Sequence, residues 1–225
     1  TGRAAFAADT SMPGMIWGKV LRSPHAHAVI KGIDTSKAEV LPGVKAVMTA
    51  ADIIDFPTDT PVALGIQDMR WMCRNVIARE KALFHGHPIA AVAAMTEAIA
   101  AEACKLIEVE YEVLKPVISL EDAMAPGAIV IHEGLIGSDL GEQVKNTNIA
   151  VHNRLEFGDP EAAFGESKTV IERTFIISRA HQGYIEPHAS TVFWAPDGKI
   201  AVWTTTQAPF GVRKTISTLL NQPLS

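Results

Sequence analysis

The residues best equipped for chemistry gather in one stretch, Arg179–Trp194 (RAHQGYIEPHASTVFW), which sets His181, Gln182, Tyr184, Glu186 and His188 behind an apolar run. Polar side chains collected where a buried strand ends are the raw material of a binding pocket. Downstream, TTTQAPF puts Gln207 just ahead of a proline and a helix start. Free backbone N–H groups at such a helix start can meet an anionic group. A polar sheet edge with capped ends also accounts for these residues.

The other candidates read as structural. His25/His27 and His85/His87 are HxH pairs, and on a strand residues two apart share a face, so each pair could hold one zinc. No acidic third ligand stands at matching spacing, and Pro24 and Pro88 frame both pairs as turn-proximal, so hydrogen-bonded or solvated imidazoles are expected. Glu108, Glu110 and Glu112 share one strand face, which is expected to point to water rather than form an acid/base pair. Cys73 and Cys104 are too few for a disulfide scaffold and make no CxxC pair. A reducing compartment, most simply the cytoplasm, is the expectation. No GxGxxG follows a strand, and neither a GxxxxGK[ST] loop nor a GxSxG elbow occurs.

Composition narrows the class. With 225 residues, 48% hydrophobic and 20% charged, the chain is not a disordered tail. Its net charge of −5, with scattered cations, leaves no electrostatic footprint for nucleic acid or an acidic membrane. No stretch approaches the ~18 uninterrupted apolar residues of a membrane span. The chain opens TGRAAFAADTSMPGM and closes LLNQPLS, and both ends read as cut.

The elements that must position these residues follow from periodicity. Met15–Leu21 and Val44–Met48 read as strands, with a short helix between them capped by Asp34, Thr35 or Ser36. Thr49 is expected to cap a helical turn, and Phe56–Arg79 to form a loop or lid. Pro88–Met95 is an apolar strand covered on both faces. Thr96 starts a helix whose Ala100, Ala103, Cys104 and Ile107 form one apolar stripe, which makes Cys104 a core residue. Val109, Tyr111 and Val113 then alternate with the glutamates. Residues 116–145 turn irregular. Strands are expected over Ile149–Phe157 and Thr169–Ser178, with a short helix after Asp159-Pro160. Ala189–Trp194 and Lys199–Thr206 form a hairpin across Pro196-Asp197-Gly198, and Pro209–Leu220 a helix.

GMIWGKVLRSPHAHAVIKGIDTSKAEVLPGVKAVMTAADI and HGHPIAAVAAMTEAIAAEACKLIEVEYEVLKPV resemble the α/β-hammerhead domain of the xanthine dehydrogenase and aldehyde oxidase family. NIAVHNRLEFGDPEAAF, HQGYIEPHA and VWTTTQAPFGVR resemble the opening of the molybdopterin-binding region that follows it. The resemblance implies an α+β fold: a hammerhead domain over 1–115, a linker over 116–145, and over 146–225 the first part of a molybdopterin-binding domain.

It further implies the large subunit of a molybdenum hydroxylase, with molybdenum held on a pterin dithiolene. Such an enzyme hydroxylates, or in one branch reduces, an aromatic, heteroaromatic, aldehyde or aromatic acyl-CoA substrate. The overall flavour leans towards the aromatic acyl-CoA reductase branch. Electrons leave through iron–sulfur clusters and FAD on partner subunits or domains, so a hetero-oligomer is expected. Gln182 is the nearest match to the family glutamine that approaches the metal's apical oxo ligand, and Gln207 matches a position lining the same region. Arg22, Pro24 and His25 in RSPHAHA match as structural residues. The family's glycine-rich GGxFGG loop and its late catalytic glutamate are absent from these residues, so these 225 alone are expected to bind no molybdenum cofactor and to be inactive. A stand-alone scaffold or binding module without cofactor is the alternative.

Overall fold

The computed structural model describes residues 2–55 and 69–224. It contains two compact units: Met15–Glu156, and Thr1–Gly14 together with Phe157–Ser225.

The larger unit is built around β5 (Pro88–Ala94), which lies between β1 (Trp17–Arg22) and β3 (Val44–Thr49) in an antiparallel sheet. PIAAVAA suits this central place: Ile89, Ala90, Val92 and Ala94 are buried, and small side chains let α3 (Glu97–Leu106) pack closely. Thr96 Oγ1 accepts the Ile99 N–H at 3.2 Å and so starts the helix. The expected stripe is buried, Cys104 included. Gly43 turns the chain into β3 at φ +95°, and a Cβ there would lie 2.7 Å from Ile99 Cδ1, so glycine alone fits.

A second antiparallel sheet sets β2 (Ala28–Asp34) between β4 (Lys81–Ala82) and β6 (Glu108–Val113). On β6 the three glutamates face solvent, with Glu108 paired to Lys37 and Glu112 to Lys31. Helix α1 (Ser36–Glu39) follows β2, its Ser36 N–H bonded to Asp34 Oδ1 at 2.9 Å.

Part of the expected Phe56–Arg79 loop is a helix, α2 (Met69–Val76). Arg70 and Arg74 share one face at i and i+4, a pattern only eight residues long, and tertiary contacts help order the helix: Cys73 is buried, while Arg74 pairs with Asp55 and with Glu80. Residues 56–68 of that expected loop lie outside the described residues. Residues 116–145, expected to be a linker, contain α4 (Leu120–Met124), β7 (Gly137–Asp139) and β8 (Glu142–Val144), within the larger unit. The strand expected over Ile149–Phe157 is only β9 (Val151–His152), since β7 offers a short edge for it to follow. Gly137 passes so close to this edge that a Cβ would sit 2.1 Å from the Ile149 carbonyl oxygen.

In the smaller unit α5 (Pro160–Glu166) is capped by Asp159, whose Oδ1 accepts the Ala162 N–H at 2.9 Å. Thr169–Ser178 makes no strand. Its alternation suits a sheet, but a strand needs a neighbour for its backbone groups, and the described residues provide none. Ile176 and Ile177 are therefore 93% and 90% exposed. β10 (Ser190–Trp194) and β11 (Ile200–Thr204) form the expected hairpin, and α6 (Pro209–Leu219) follows. Among the described residues no helix is long and apolar enough to cross a membrane.

Of the histidine pairs, His27 and His87 are buried and hydrogen-bonded, His25 lies edge-on to Tyr111 with ring centroids 5.0 Å apart, and His85 is exposed. His87 is fully buried: Nδ1 accepts the Leu83 N–H at 3.2 Å, so Nε2 carries the proton donated to the Asn75 carbonyl at 2.7 Å. It thereby ties α2 to β5. Beside it, the Ser23 N–H donates to the His87 carbonyl and Arg22 Nη1 to the Gly86 carbonyl, each at 2.9 Å, anchoring the RSPHAHA turn as its sequence suggests. His27 Nδ1 donates to the Lys115 carbonyl at 3.0 Å.

Burial holds the His87 imidazole below its ordinary value of 6.5, against the pull of its bond to Asn75. Burial, and secondarily the neighbouring His87, shifts His132 in the same direction. As pH falls below the ordinary value, the unfolded chain takes up protons that the folded imidazoles resist, so stability is full above that value and lost beneath it. Thermal melting across this range is expected to show a midpoint that is level above neutrality and declines in mild acid. His87→Phe is expected to lower stability by about 2–4 kcal/mol, for two backbone groups left unpaired, and to flatten the decline. Gly137→Ala is expected to destabilise by about 1–3 kcal/mol through its backbone clash, read as a lower denaturation midpoint.

Candidate functional site

Gln207 lies just beyond the open end of the β10–β11 hairpin, whereas Gln182 stands eight residues ahead of Ser190, where β10 starts, and among the described residues no contact joins it to Gln207. The turn at Pro196-Asp197-Gly198 closes the far end, and the register pairs Trp194 with Ile200 and Ser190 with Thr204. HQGYIEPHA therefore enters the hairpin where TTTQAPF leaves it. The backbone continues the match by one residue, with the Thr205 N–H donating to the Ala189 carbonyl at 3.1 Å.

Side chains lock this end. The Thr205 hydroxyl lies 2.9 Å from the Pro187 carbonyl and 3.3 Å from Glu186 Oε1, both acceptors for its proton. Its oxygen in turn accepts the Ala189 N–H at 3.3 Å. Glu186 Oε1 also accepts the Ala7 N–H at 3.4 Å, from the 3-10 turn Ala7–Asp9 in the same unit. The Ser190 and Thr204 hydroxyls meet at 2.6 Å.

The aromatic residues of the loop organise one another. Tyr184 and His188 stack at 4.5 Å with 7° between planes, and His181 lies 4.9 Å from Tyr184. His181 Nδ1 accepts the Gly183 N–H at 3.1 Å, and Gly183 itself stands at φ +68°. Such an αL bend favours glycine.

Both predicted site residues, Gln182 and Gln207, are exposed, and neither carboxamide is engaged by another described residue. Each offers two N–H donors and a carbonyl acceptor. Helix α6 begins at Pro209, one residue beyond Gln207; the N-cap Ala208 has no capping side chain and gives its own N–H to Thr206 Oγ1, and Pro209 has none, so the free leading N–H groups start at Phe210. The leading N–H groups of a helix have no partner within it. The open hairpin end thus presents free amide donors and acceptors beside a helix start, a set able to bind a polar, partly anionic heterocycle. Sequence reasoning singled out Glu186 but missed Thr205 and Ala7. Counting back from the Asp197-Gly198 turn sets Thr205 opposite Ala189, whereas nothing local announces Ala7.

Two concavities lie elsewhere. A groove of about 540 Å³ runs between β11 and α6, floored by Ile200, Val202, Val212 and Ile216. A cavity of about 420 Å³ in the larger unit is lined by Trp71, Arg74, Lys81 and His132 among others. Its charges are mutually paired, Arg74 with Asp55 and Glu80, and Lys81 with Glu133.

Residues 1–115 match the family model described as "Aldehyde oxidase and xanthine dehydrogenase, a/b hammerhead domain", and residues 140–225 that of a molybdopterin cofactor-binding domain. The carbon monoxide dehydrogenase large chain of Afipia carboxidovorans is 34% identical, over 99% of this chain and 27% of its own length. The nicotinate dehydrogenase large molybdopterin subunit of Eubacterium barkeri is 33% identical, over 100% of this chain and 48% of its own. The reconstituted CO dehydrogenase structure from Oligotropha carboxidovorans superposes with a TM-score of 0.82 at 33% identity, over 99% of this chain and 28% of that one. The chain thus spans between about a quarter and a half of these relatives' lengths. On these matches, the chain belongs to the aldehyde oxidase and xanthine dehydrogenase family and carries its α/β-hammerhead domain.

Proposed function

We propose that these residues are part of the large subunit of a molybdenum-dependent oxidoreductase, and that Gln182 and Gln207 contact its molybdopterin cofactor. The observation that carries the reading is the free Gln207 carboxamide beside an uncapped helix start. Two free carboxamides and an uncapped helix start lie on segments tied together through Thr205. A pterin needs in-plane donors and acceptors, and its phosphate favours backbone N–H groups, so the residues present fit the group. The match over 140–225 to a molybdopterin cofactor-binding domain supports the same reading.

When bound, the cofactor supplies two-electron redox chemistry that adds a water-derived oxygen to an electron-poor carbon or, in one branch, reduces the substrate. This chain's residues bind and orient. The Gln207 carboxamide would hold the polar edge of the pterin and the leading N–H groups of α6 its phosphate, with the Gln182 carboxamide as a second donor and acceptor. The substrate is an aromatic, heteroaromatic, aldehyde or aromatic acyl-CoA compound, the last being the branch the sequence flavour favours. Relatives named for nicotinate and quinoline support the heteroaromatic class. Electrons pass to an iron–sulfur subunit and an FAD subunit within a hetero-oligomer, a reading supported by relatives described as the large chain or subunit of their enzymes.

In the full-length subunit with its natural partners, Gln207→Ala is expected to reduce bound molybdenum and pterin severalfold, roughly the loss of one or two hydrogen bonds. Gln182→Ala is expected to lower turnover more than cofactor content. Metal analysis and pterin fluorescence check both, and unchanged content in Gln207→Ala with unchanged turnover in Gln182→Ala contradicts the assignment.

A further inference from the structure

We propose that Glu186, Thr205 and the backbone N–H of Ala7 form a brace that positions the Gln182 and Gln207 segments, a role that rests on the function proposed above. Three stretches remote in sequence meet on two side chains. Glu186 Oε1 receives the Ala7 N–H at 3.4 Å and lies 3.3 Å from the Thr205 hydroxyl, which is also 2.9 Å from the Pro187 carbonyl. The Thr205 oxygen accepts the Ala189 N–H at 3.3 Å as well. Glu186 is half-buried between exposed neighbours.

The brace sits where positioning is most needed. Between the end of α5 at Glu166 and the start of β10 at Ser190 the chain forms no helix or strand. The sheet ladder therefore cannot fix Gln182, and the tie to Thr205 that stands nearest to it along the chain is the one made by Glu186. Gln207 lies two residues beyond Thr205, so the same hydroxyl fixes where the exit strand delivers it. The Thr1–Gly14 arm supplies the third point, through Ala7. Neither Glu186 nor Thr205 reaches the cofactor in this account; both act through the glutamine-bearing segments, as positioning residues.

The chemistry can be removed one atom at a time in the full-length subunit within its natural assembly. Thr205→Val deletes the hydroxyl at nearly constant shape, and Thr205→Ser keeps it. Ala7→Pro deletes only the N–H, because Ala7 opens the 3-10 turn and Phe6 before it is extended (φ −107°, ψ 168°), which a following proline tolerates. The readouts are the rate of cofactor loss on dilution, molybdenum and pterin per subunit, and amide hydrogen exchange over residues 181–189 in the cofactor-free subunit.

Thr205→Val and Ala7→Pro are each expected to lose cofactor roughly fivefold faster, the equivalent of one neutral hydrogen bond. Exchange over 181–189 is expected to rise while exchange in the Met15–Glu156 unit stays unchanged, and Thr205→Ser is expected to match the natural protein. Unchanged cofactor loss in Thr205→Val and Ala7→Pro overturns the brace, whether or not exchange rises. If Thr205→Val does not assemble, Ala7→Pro alone decides. Gln182→Ala and Gln207→Ala run alongside keep the two claims apart. Normal retention and turnover in both glutamine variants removes the proposed function, whereas losses there with normal retention in the brace variants removes the brace alone.

Discussion

Antiparallel pairing of Ser190–Trp194 with Ile200–Thr204 is the constraint on which the candidate site depends. Its register leaves two polar segments emerging side by side at the end away from the turn. Neither HQGYIEPHA nor TTTQAPF has regular structure that could hold its glutamine by itself. The hairpin makes them neighbours, and Thr205 converts that adjacency into a tie. Because the residues that do the tying are distinct from the free carboxamides, holding and contacting are separate tasks in this part of the chain.

The larger unit is governed by a different constraint, the burial of the β5 face that carries Ala90, Val92 and Ala94; Ala91 and Ala93 on the opposite face are only half-buried. A strand of isoleucine, valine and alanine lets two other strands and a helix crowd against it, and the small side chains set how closely α3 approaches. Polar groups brought into that interior must be satisfied within it. His87 meets this demand with both ring nitrogens, and in doing so fastens α2, a helix whose own sequence is rich in arginine. The same demand is met at the other buried histidine: His27, like His87, spends a ring nitrogen on a backbone carbonyl.

Much of this was legible from residue order. The strands of the hammerhead unit, the Thr96-capped helix, the wet face of the three glutamates and the hairpin across Asp197-Gly198 each follow from local periodicity or turn chemistry, and each is found. What periodicity could not supply was tertiary. Helix α2 escaped because its amphipathic pattern spans only eight residues, and contacts with Asp55, Glu80 and His87 complete its order. Thr169–Ser178 misled in the opposite direction, since alternation specifies a strand only where an edge is present to pair with it. At the candidate site, residue type and spacing singled out Gln182 and Gln207, family resemblance supplied the roles proposed for them, and Thr205 was reachable by counting the register. The contact from Ala7 to Glu186 spans most of the chain and leaves no local trace.

The account's central claim is that Gln207, delivered by the hairpin and α6, contacts the molybdopterin cofactor. The most direct measurement is a crystal structure of the full-length subunit with its cofactor bound. The expected result is the Gln207 carboxamide within hydrogen-bonding distance of the cofactor, with the Thr205 hydroxyl still bonded to the Pro187 carbonyl behind it. A cofactor bound elsewhere, with the Gln207 carboxamide turned to solvent or packed against protein, would contradict it.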